Sequence, residues 1–87
     1  MPSSSRGRGA TPLQHELGNR VRERRHELGL TQAGLAFRAE VHYSYVGSLE
    51  TGAGNPSVDL VARLAKALEV DLGSLVQGLQ ESSGRSG

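Results

Sequence analysis

The sequence contains no cysteine, and no apolar run in it approaches the roughly 18–20 residues that span a membrane. Without cysteine the chain has neither a disulfide framework nor a thiolate metal site, which is compatible with a reducing cytoplasm. The opening segment, MPSSSRGRG, is charged but is followed by no apolar stretch, so we do not expect a secretory signal. The sequence therefore predicts neither a secreted disulfide-rich module nor a membrane-spanning protein.

Aromatic residues are also scarce, at 3% of the chain, and apolar residues make up only 36%. Because 87 residues form one small domain, its core must be built from leucine, valine and alanine, as in a compact helical bundle.

The sequence also lacks the residue patterns that are typical of active sites. The sequence has no glycine-rich phosphate loop, no Ser/His/Asp arrangement and no paired acids, and a chain of this size hardly encloses a deep pocket. Its three histidines, His15, His26 and His42, show no metal-ligand spacing with carboxylates. We therefore expect no enzyme, no cofactor, no metal and no small-molecule substrate.

The net charge is only +1, but it is unevenly distributed. Residues 1–30 carry +3, whereas residues 31–57 and 58–87 each carry −1. An excess of arginine near one end is compatible with nucleic-acid binding, while the small total does not by itself require it.

Capping residues and apolar spacing predict five helices and no strand. The first begins at Thr11-Pro12 and stops at Gly29, the second opens at Thr31-Gln32, and the third runs from about Tyr43 to Glu50, with Gly52 ending it. Ser57 caps the fourth and Asp71 the fifth. The apolar residues expected to face inward are Leu13, Leu17, Val21, Leu28; Leu35, Ala36, Ala39; Val46, Leu49; Val58, Val61, Leu64, Ala65, Leu68; and Leu72, Leu75, Val76, Leu79. The prediction is an all-α, compact five-helix bundle over residues 11–79, with disordered tails at 1–10 and 80–87.

The stretch LGLTQAGLAFRAEVHYSYVGSLETG, followed by NPS and LVARLAKALEV, resembles the Cro/C1-type (XRE-like) helix-turn-helix regulators. The run YVGSLETGAGNPS is similar to restriction–modification controller proteins, a subgroup of that family. The resemblance implies a lambda-repressor-like DNA-binding domain whose helix-turn-helix lies at helices 2 and 3, with the third helix in the major groove. It also implies a bacterial, cytoplasmic protein of the nucleoid that binds double-stranded DNA as a homodimer on a near-palindromic operator.

Roles follow from the resemblance position by position. His42, Tyr43, Ser44 and Ser48 would contact base edges, and Thr31, Gln32, Arg38 and Asn55 would contact phosphates. Arg25 and Glu50 would form a structural ion pair between the first and third helices. No arginine or lysine lies on the third helix, so bidentate recognition of guanine from it is not available.

Several alternatives stay open at this level. His42 either reads bases or only caps the third helix, Tyr45 packs half-buried in preference to reading, and Arg24 is either a phosphate contact or a solvated side chain. Arg6-Gly7-Arg8 is either an arm that contacts DNA or a solvated tail. The fifth helix either forms the dimer or only covers the core.

Two turn positions where the family usually has glycine carry Glu40 and Glu69. Each residue either adopts a strained positive φ or sits in a different turn. The rival function is a protein-interaction module of the same fold, such as an antitoxin or a co-activator bridging factor.

Overall fold

The computed structural model describes residues 11–79, which form five helices and no strand. The helices are α1 (Pro12–Glu27), α2 (Gln32–Ala39), α3 (Tyr43–Thr51), α4 (Val58–Ala67) and α5 (Leu72–Val76). The all-α prediction is confirmed. The two predicted disordered tails, including Arg6-Gly7-Arg8, lie outside the described residues.

The core is aliphatic, as the shortage of aromatic residues requires. Its largest fully buried side chains are Val21, Leu35, Val46, Leu64 and Leu68. One comes from each of α1, α2 and α3, and the last two come from α4 and its end, so a single cluster holds four helices together. Leu75 connects α5 to the same cluster. No helix in the described part of the chain is long and apolar enough to cross a membrane.

α3 lies between α1 and α2, and this arrangement depends on Gly18 in α1. A Cβ atom at Gly18 would clash with the carbonyl oxygen of Leu49 and would lie 2.8 Å from that of Glu50. The glycine weakens α1 as a helix, since it costs roughly 1 kcal/mol relative to alanine. It is nevertheless required, because it lets α1 approach the C-terminal end of α3.

Four of the helices are followed by a residue in the left-handed region of φ. The N–H of the next residue then donates a hydrogen bond to the carbonyl five residues earlier in the chain. The left-handed residues are Gly29 (φ 71°), Glu40 (φ 60°), Gly52 (φ 83°) and Glu69 (φ 62°). After α2, for example, Val41 N–H donates to the Ala36 carbonyl at 3.0 Å. The two glutamates therefore take the positive φ that glycine normally supplies, at a cost of about 1–2 kcal/mol each, and the alternative of a different turn is wrong.

Three details of the predicted helices are corrected. Val58, placed on the inward stripe of α4, is 75% exposed, because as the first residue of the helix it lies beyond the core that Val61 and Leu64 reach. Leu79 lies outside α5, which ends at Val76, and Gly78 turns the chain at φ 77°. Asp71 occupies the N-cap position of α5, but its side chain makes no capping hydrogen bond.

Candidate nucleic-acid interface

The turn between α2 and α3 is held by a buried ion pair, Arg25 with Glu50. The Arg25 Nε atom donates to Glu50 Oε2 at 2.6 Å and Nη2 donates to Oε1 at 2.9 Å. The two side chains are 10% and 3% exposed. This bidentate geometry is the one in which a planar guanidinium matches a carboxylate best.

Other side chains complete the network around Glu50. Gln32 Nε2 donates to Glu50 Oε1 at 3.1 Å, and Arg22 Nη2 donates to the Glu50 carbonyl at 2.9 Å. The remaining Nη1 of Arg25 donates to the Leu30 carbonyl at 2.9 Å. One carboxylate thus joins α1, the start of α2 and the end of α3, which fixes the angle between the two helices of the motif.

Burial alone raises the pKa of Glu50, but hydrogen bonds from Arg25 and Gln32 and the charges of Arg25 and Arg22 outweigh it, so the net pKa lies below the ordinary value. The hydrogen bond to Glu50 likewise raises the pKa of Arg25. Both groups therefore stay charged in the folded state at neutral pH.

The side chains predicted to contact bases lie at the N-cap and in the first two turns of α3. Tyr43 is 60% exposed, and His42, Ser44 and Ser48 are exposed as well. Gly47 lies between them, and a Cβ atom there would be 3.7 Å from the side-chain oxygen of Gln32. His42, Tyr43 and Ser44 thus cluster at the start of α3, and Ser48, four residues after Ser44, extends this exposed face along the helix.

His42 caps α3 and also belongs to this exposed face. Its Nδ1 accepts the Ser44 N–H at 3.1 Å and lies 2.8 Å from Ser44 Oγ, and its ring stacks on Tyr43 with centroids 5.1 Å apart. A ring nitrogen that accepts from a main-chain N–H carries no proton, so the neutral ring bears its proton on Nε2. His42 Nε2 is then a donor and the Ser44 oxygen an acceptor.

Four residues were predicted to contact phosphates, and the structure places them at three points of the motif. At the start of α2, Thr31 Oγ1 accepts the Gly34 N–H at 2.9 Å and Gln32 points its amide at Glu50. In the α3–α4 loop, Asn55 Oδ1 accepts from Gln14 Nε2 at 2.8 Å. At the far end of α2, Arg38 Nη1 donates to the Ala67 carbonyl and to Glu69 Oε2, both at 3.2 Å. Arg38 therefore packs against α4, away from the other three.

Tyr45 is 55% exposed, so a little less than half of the residue is covered, which is close to the expectation that it packs half-buried. It lines a groove of about 710 Å³ between α3 and α4, together with His42, Ser48 and Asn55. The spacing of Val46 and Leu49 in the sequence already indicates that Tyr45 is partly exposed, because a residue directly before an inward position lies about 100° away from it around the helix. Tyr45 thus extends the exposed polar face beyond the predicted residues.

Sequence reasoning missed the contact that fixes the loop between α3 and α4. Gln14 Nε2 donates to the Gly54 carbonyl as well as to Asn55 Oδ1. Gln14 also completes a capping box, in which its Oε1 accepts the Thr11 N–H at 2.8 Å and Thr11 Oγ1 accepts the Gln14 N–H at 3.0 Å. The pattern Thr-x-x-Gln at a helix start is the sequence signal that was available.

Within residues 11–79, no group of three or more histidines and acidic residues lies close enough together to hold a metal ion. The candidate interface therefore consists of hydroxyls, amides, an imidazole and two phenols. Such a surface can exchange hydrogen bonds with base edges and phosphates, and it offers no cation of its own from α3.

The chain matches known proteins over most of its length. A family model described as a helix-turn-helix domain matches residues 16–79. Among curated proteins, the HTH-type transcriptional regulator DdrOP3 of Deinococcus deserti is 32% identical over 65 residues, which are 75% of this chain and 50% of that protein. The chain thus spans half the length of that relative.

Solved structures agree with the family match. The restriction–modification controller protein C.AhdI from Aeromonas hydrophila is 39% identical, with a TM-score of 0.69 over 71% of this chain and 94% of that one. The biofilm master regulator SinR, solved in complex with DNA, is 31% identical, with a TM-score of 0.66 over 70% of this chain and 98% of that one. The predicted resemblance to Cro/C1-type regulators and to controller proteins is confirmed.

The network around Glu50 predicts how stability depends on pH. Since the pKa of Glu50 is lowered by folding, the unfolded chain binds a proton below roughly pH 4.3 while the folded chain does not. The stabilisation contributed by the ionised Glu50 carboxylate is therefore fully present above that pH and is lost as the pH falls further. We expect Glu50→Gln to lower the free energy of unfolding at pH 7 by about 3–5 kcal/mol, because it leaves Arg25 buried without its counter-charge.

Urea unfolding at several pH values measures both effects. Glu50→Gln should flatten the acid side of the stability profile, while the exposed Glu23→Gln should reproduce the wild-type profile. An equal loss at pH 7 for the two variants would show that the buried pair does not hold the motif.

Proposed function

We propose that this chain reads the major groove of duplex DNA with residues 42–48 at the start of α3. The chain belongs to the helix-turn-helix domain family of transcriptional regulators. Members of that family are not enzymes. The chain is a DNA-binding transcription regulator of the Cro/C1 type. The proposal itself concerns the residues that do the reading. The observation that carries it is the exposed face of Tyr43, Ser44 and Ser48 around a glycine, at the N-terminal end of the motif's second helix.

The chemistry of this face sets the kind of readout. Ser48 can donate to or accept from base edges. As long as His42 Nδ1 caps the helix, Ser44 can accept from a base edge and His42 Nε2 can donate to one. The Tyr43 ring can contact a thymine methyl or a phosphate. Because Gly47 presents no side chain, α3 can approach the bases closely, and specificity then rests on short hydroxyl contacts and bridging water instead of arginine forks.

Phosphate contacts are proposed at the start of α2 and beside the α3–α4 loop. The N–H groups of Gln32 and Ala33 lie at the start of α2, where a helix leaves them without intrahelical acceptors and its dipole favours an anion. Thr31 caps the same start of α2, and Asn55 and Tyr45 line the groove that also contains Ser48. Arg38 is left out of this set, since its guanidinium is bound at the C-terminus of α4.

A homodimer on a near-palindromic operator is the proposed assembly, since a two-fold dimer presents two copies of α3 to two half-sites. An apolar groove of about 330 Å³ is lined by Leu13, Val58, Leu72 and Val76. A second copy is the occupant we propose, because Val58 is 75% exposed there while the chain segments at 1–10 and 80–87 are too polar to fill it. Leu75 is not part of this surface, since it is 5% exposed and belongs to the core.

The alternative function is a protein-interaction module, and one observation favours it. Phe37, on α2, is 87% exposed, more than either tyrosine of the reading face. A large apolar side chain at the surface is a common anchor for a protein partner. A partner bound there would contact the outer side of α2, and it would leave the reading face of α3 open.

The reading face predicts the effect of single hydroxyl deletions. Once sites are selected from a random duplex pool, we expect Ser44→Ala and Ser48→Ala each to weaken binding to the selected duplex by about 1 kcal/mol, roughly fivefold, because each loses one hydrogen bond to a base. Fluorescence anisotropy on selected and scrambled duplexes measures the difference.

Ser74→Ala is the matched control, since Ser74 is an exposed serine on α5. The reading assignment fails if Ser48→Ala and Ser44→Ala behave like Ser74→Ala on the selected duplex. A pool that yields no preferred sequence would contradict sequence-specific binding altogether.

The apolar groove predicts where a charge should break the dimer. We expect Val58→Glu and Val76→Glu to remain folded, because neither residue belongs to the fully buried core, and to shift sedimentation at micromolar concentration from dimer to monomer. Phe37→Glu is the control and should stay dimeric. Dissociation by Phe37→Glu, with Val58→Glu unaffected, would place the interface on α2 and overturn the assignment.

A further inference from the structure

Gly47 leaves a gap in the exposed face of α3. Since successive helical residues lie about 100° apart, position 47 lies about 40° from Tyr43 and about 60° from Ser44 around the helix. It therefore belongs to the same face, but it contributes no side chain to it. Any polar group above this position has to come from another helix.

The atom found there is the side-chain oxygen of Gln32, the first residue of α2. A Cβ atom at Gly47 would lie 3.7 Å from Gln32 Oε1, which is an ordinary van der Waals distance. Among the described residues, no other side chain outside Val46 and Ser48 comes within 4 Å of that point. The end of the Gln32 side chain thus takes the place of the missing side chain at position 47.

The orientation of the Gln32 amide is fixed by its partner. Gln32 Nε2 donates to Glu50 Oε1 at 3.1 Å, and Arg25 holds this buried carboxylate by donating to both of its oxygens. An ionised carboxylate only accepts hydrogen bonds, so turning the amide over would set Gln32 Oε1 against another acceptor. Nε2 therefore faces Glu50, and Oε1 faces Gly47.

Gln32 Oε1 is an acceptor without a donor in the described fold. The Gln32 side chain is half-buried, and within residues 11–79 no N–H or O–H group donates to this oxygen. An amide oxygen has two lone pairs, and one that is partly withdrawn from water gains stability when a ligand supplies a donor. The fold thus presents a fixed acceptor on the reading face.

The direction of this hydrogen bond decides which part of DNA the oxygen contacts. Phosphate oxygens are acceptors themselves, so the predicted phosphate contact of Gln32 is left to its main-chain N–H. In the major groove the donors are the exocyclic amines, N6 of adenine and N4 of cytosine, whereas guanine and thymine present acceptors. An acceptor above Gly47 is therefore complementary to an exocyclic amine.

We propose that Gln32 is a specificity-determining residue, whose Oε1 stands in for the missing side chain at Gly47 and accepts from the exocyclic amine of an adenine or a cytosine. The proposal rests on the proposed reading of DNA by α3. Glu50 is the positioning residue for this contact, because it fixes which end of the amide faces the bases. The carboxylate that joins α2 to α3 thus also determines which kind of base is preferred at one position of the site.

The first test compares the wild-type chain with Gln32→Met by fluorescence anisotropy on the selected duplex and on a random duplex. Methionine replaces the amide by a thioether of similar length, and the fold should persist because Arg25 still donates to both oxygens of Glu50. We expect Gln32→Met to bind the selected duplex roughly fivefold more weakly and the random duplex as tightly as the wild type. A phosphate contact would instead weaken both equally, since the backbone is the same in every sequence.

Analogue bases locate the contact. Each adenine of the selected duplex is replaced in turn by unsubstituted purine and each cytosine by 2-pyrimidinone, since both analogues lack the exocyclic amine. One replacement should weaken wild-type binding roughly fivefold more than it weakens Gln32→Met binding. The lost base-pairing hydrogen bond affects both proteins alike and cancels in this comparison. The identity of the responsive base shows whether the donor is N6 of adenine or N4 of cytosine.

Ser44→Ala is the matched control, because Ser44 Oγ is another acceptor on the same face while His42 Nδ1 caps the helix. It should retain the fivefold penalty at the base assigned to Gln32. Loss of that penalty in Ser44→Ala but not in Gln32→Met would assign the amine to Ser44 and overturn the proposal.

A second measurement needs no variant. In NMR spectra of the isotopically labelled chain, the Gln32 Cδ resonance should shift when the selected duplex binds, because its carbonyl gains a donor. The Nε2 protons should keep their shifts, because they stay bonded to Glu50. Shifted Nε2 protons with an unchanged Cδ resonance would show that the amide turns towards a phosphate, which contradicts the proposal.

Equal losses on the selected and random duplexes would also overturn the proposal, as would analogue penalties that are the same in the wild type and in Gln32→Met. Gln32 would then only support Glu50, and the proposed function would stand as long as the wild type selects a duplex. A pool that yields no preferred sequence would instead contradict the proposed function and this inference with it, so the two failures are distinguishable.

Discussion

The carboxylate of Glu50 is the constraint on which the rest of this structure depends. It is 3% exposed and would be costly to bury alone, but Arg25 and Gln32 donate to both of its oxygens. Through it, α1 holds the end of α3 and the start of α2 in one fixed relation. Gly18 allows the helices to come close enough for this, since a larger residue would meet the carbonyls of Leu49 and Glu50. The position of α3 is therefore set by buried residues and not by those on its exposed face.

The same principle extends to the remaining arginines, which serve the fold before they serve any ligand. A small domain with few aromatic side chains has a limited core, and contacts from Arg20, Arg24 and Arg38 to helix ends add connections between α1, α2, α4 and α5. The two strained turns at Glu40 and Glu69 are held in this way as well, because Arg63 reaches the Glu40 carbonyl and Arg38 pairs with Glu69. α3 itself carries no arginine or lysine, so its exposed side chains are neutral hydrogen-bonding groups.

Much of the scaffold could be predicted from the sequence, because caps and helix stops act locally. Thr31, Ser57, Gly29 and Gly52 lie where their chemistry places them, and the inward positions of α2 and α3 follow a 3.6-residue period.

The parts of the structure that were missed depend on contacts between elements far apart in the chain. Periodicity assigns Val58 to the inward face of α4, but it does not show that the core reaches only as far as Val61 and leaves Val58 exposed. It also does not show that the Gln32 amide turns inward to Glu50, or that a long side chain such as Arg24 reaches the end of α4. The site was predictable as a set of residue types on α3, whereas the placement of each polar atom needed the fold.

The most direct test of the account is a titration of the isotopically labelled chain with its selected duplex, followed by NMR of the backbone amides. The account predicts that the largest changes occur in residues 42–48 and at Gln32 and Ala33, with small changes around Phe37 and along α5. Changes concentrated on the outer side of α2 or on α4 and α5, with α3 unaffected, would contradict it.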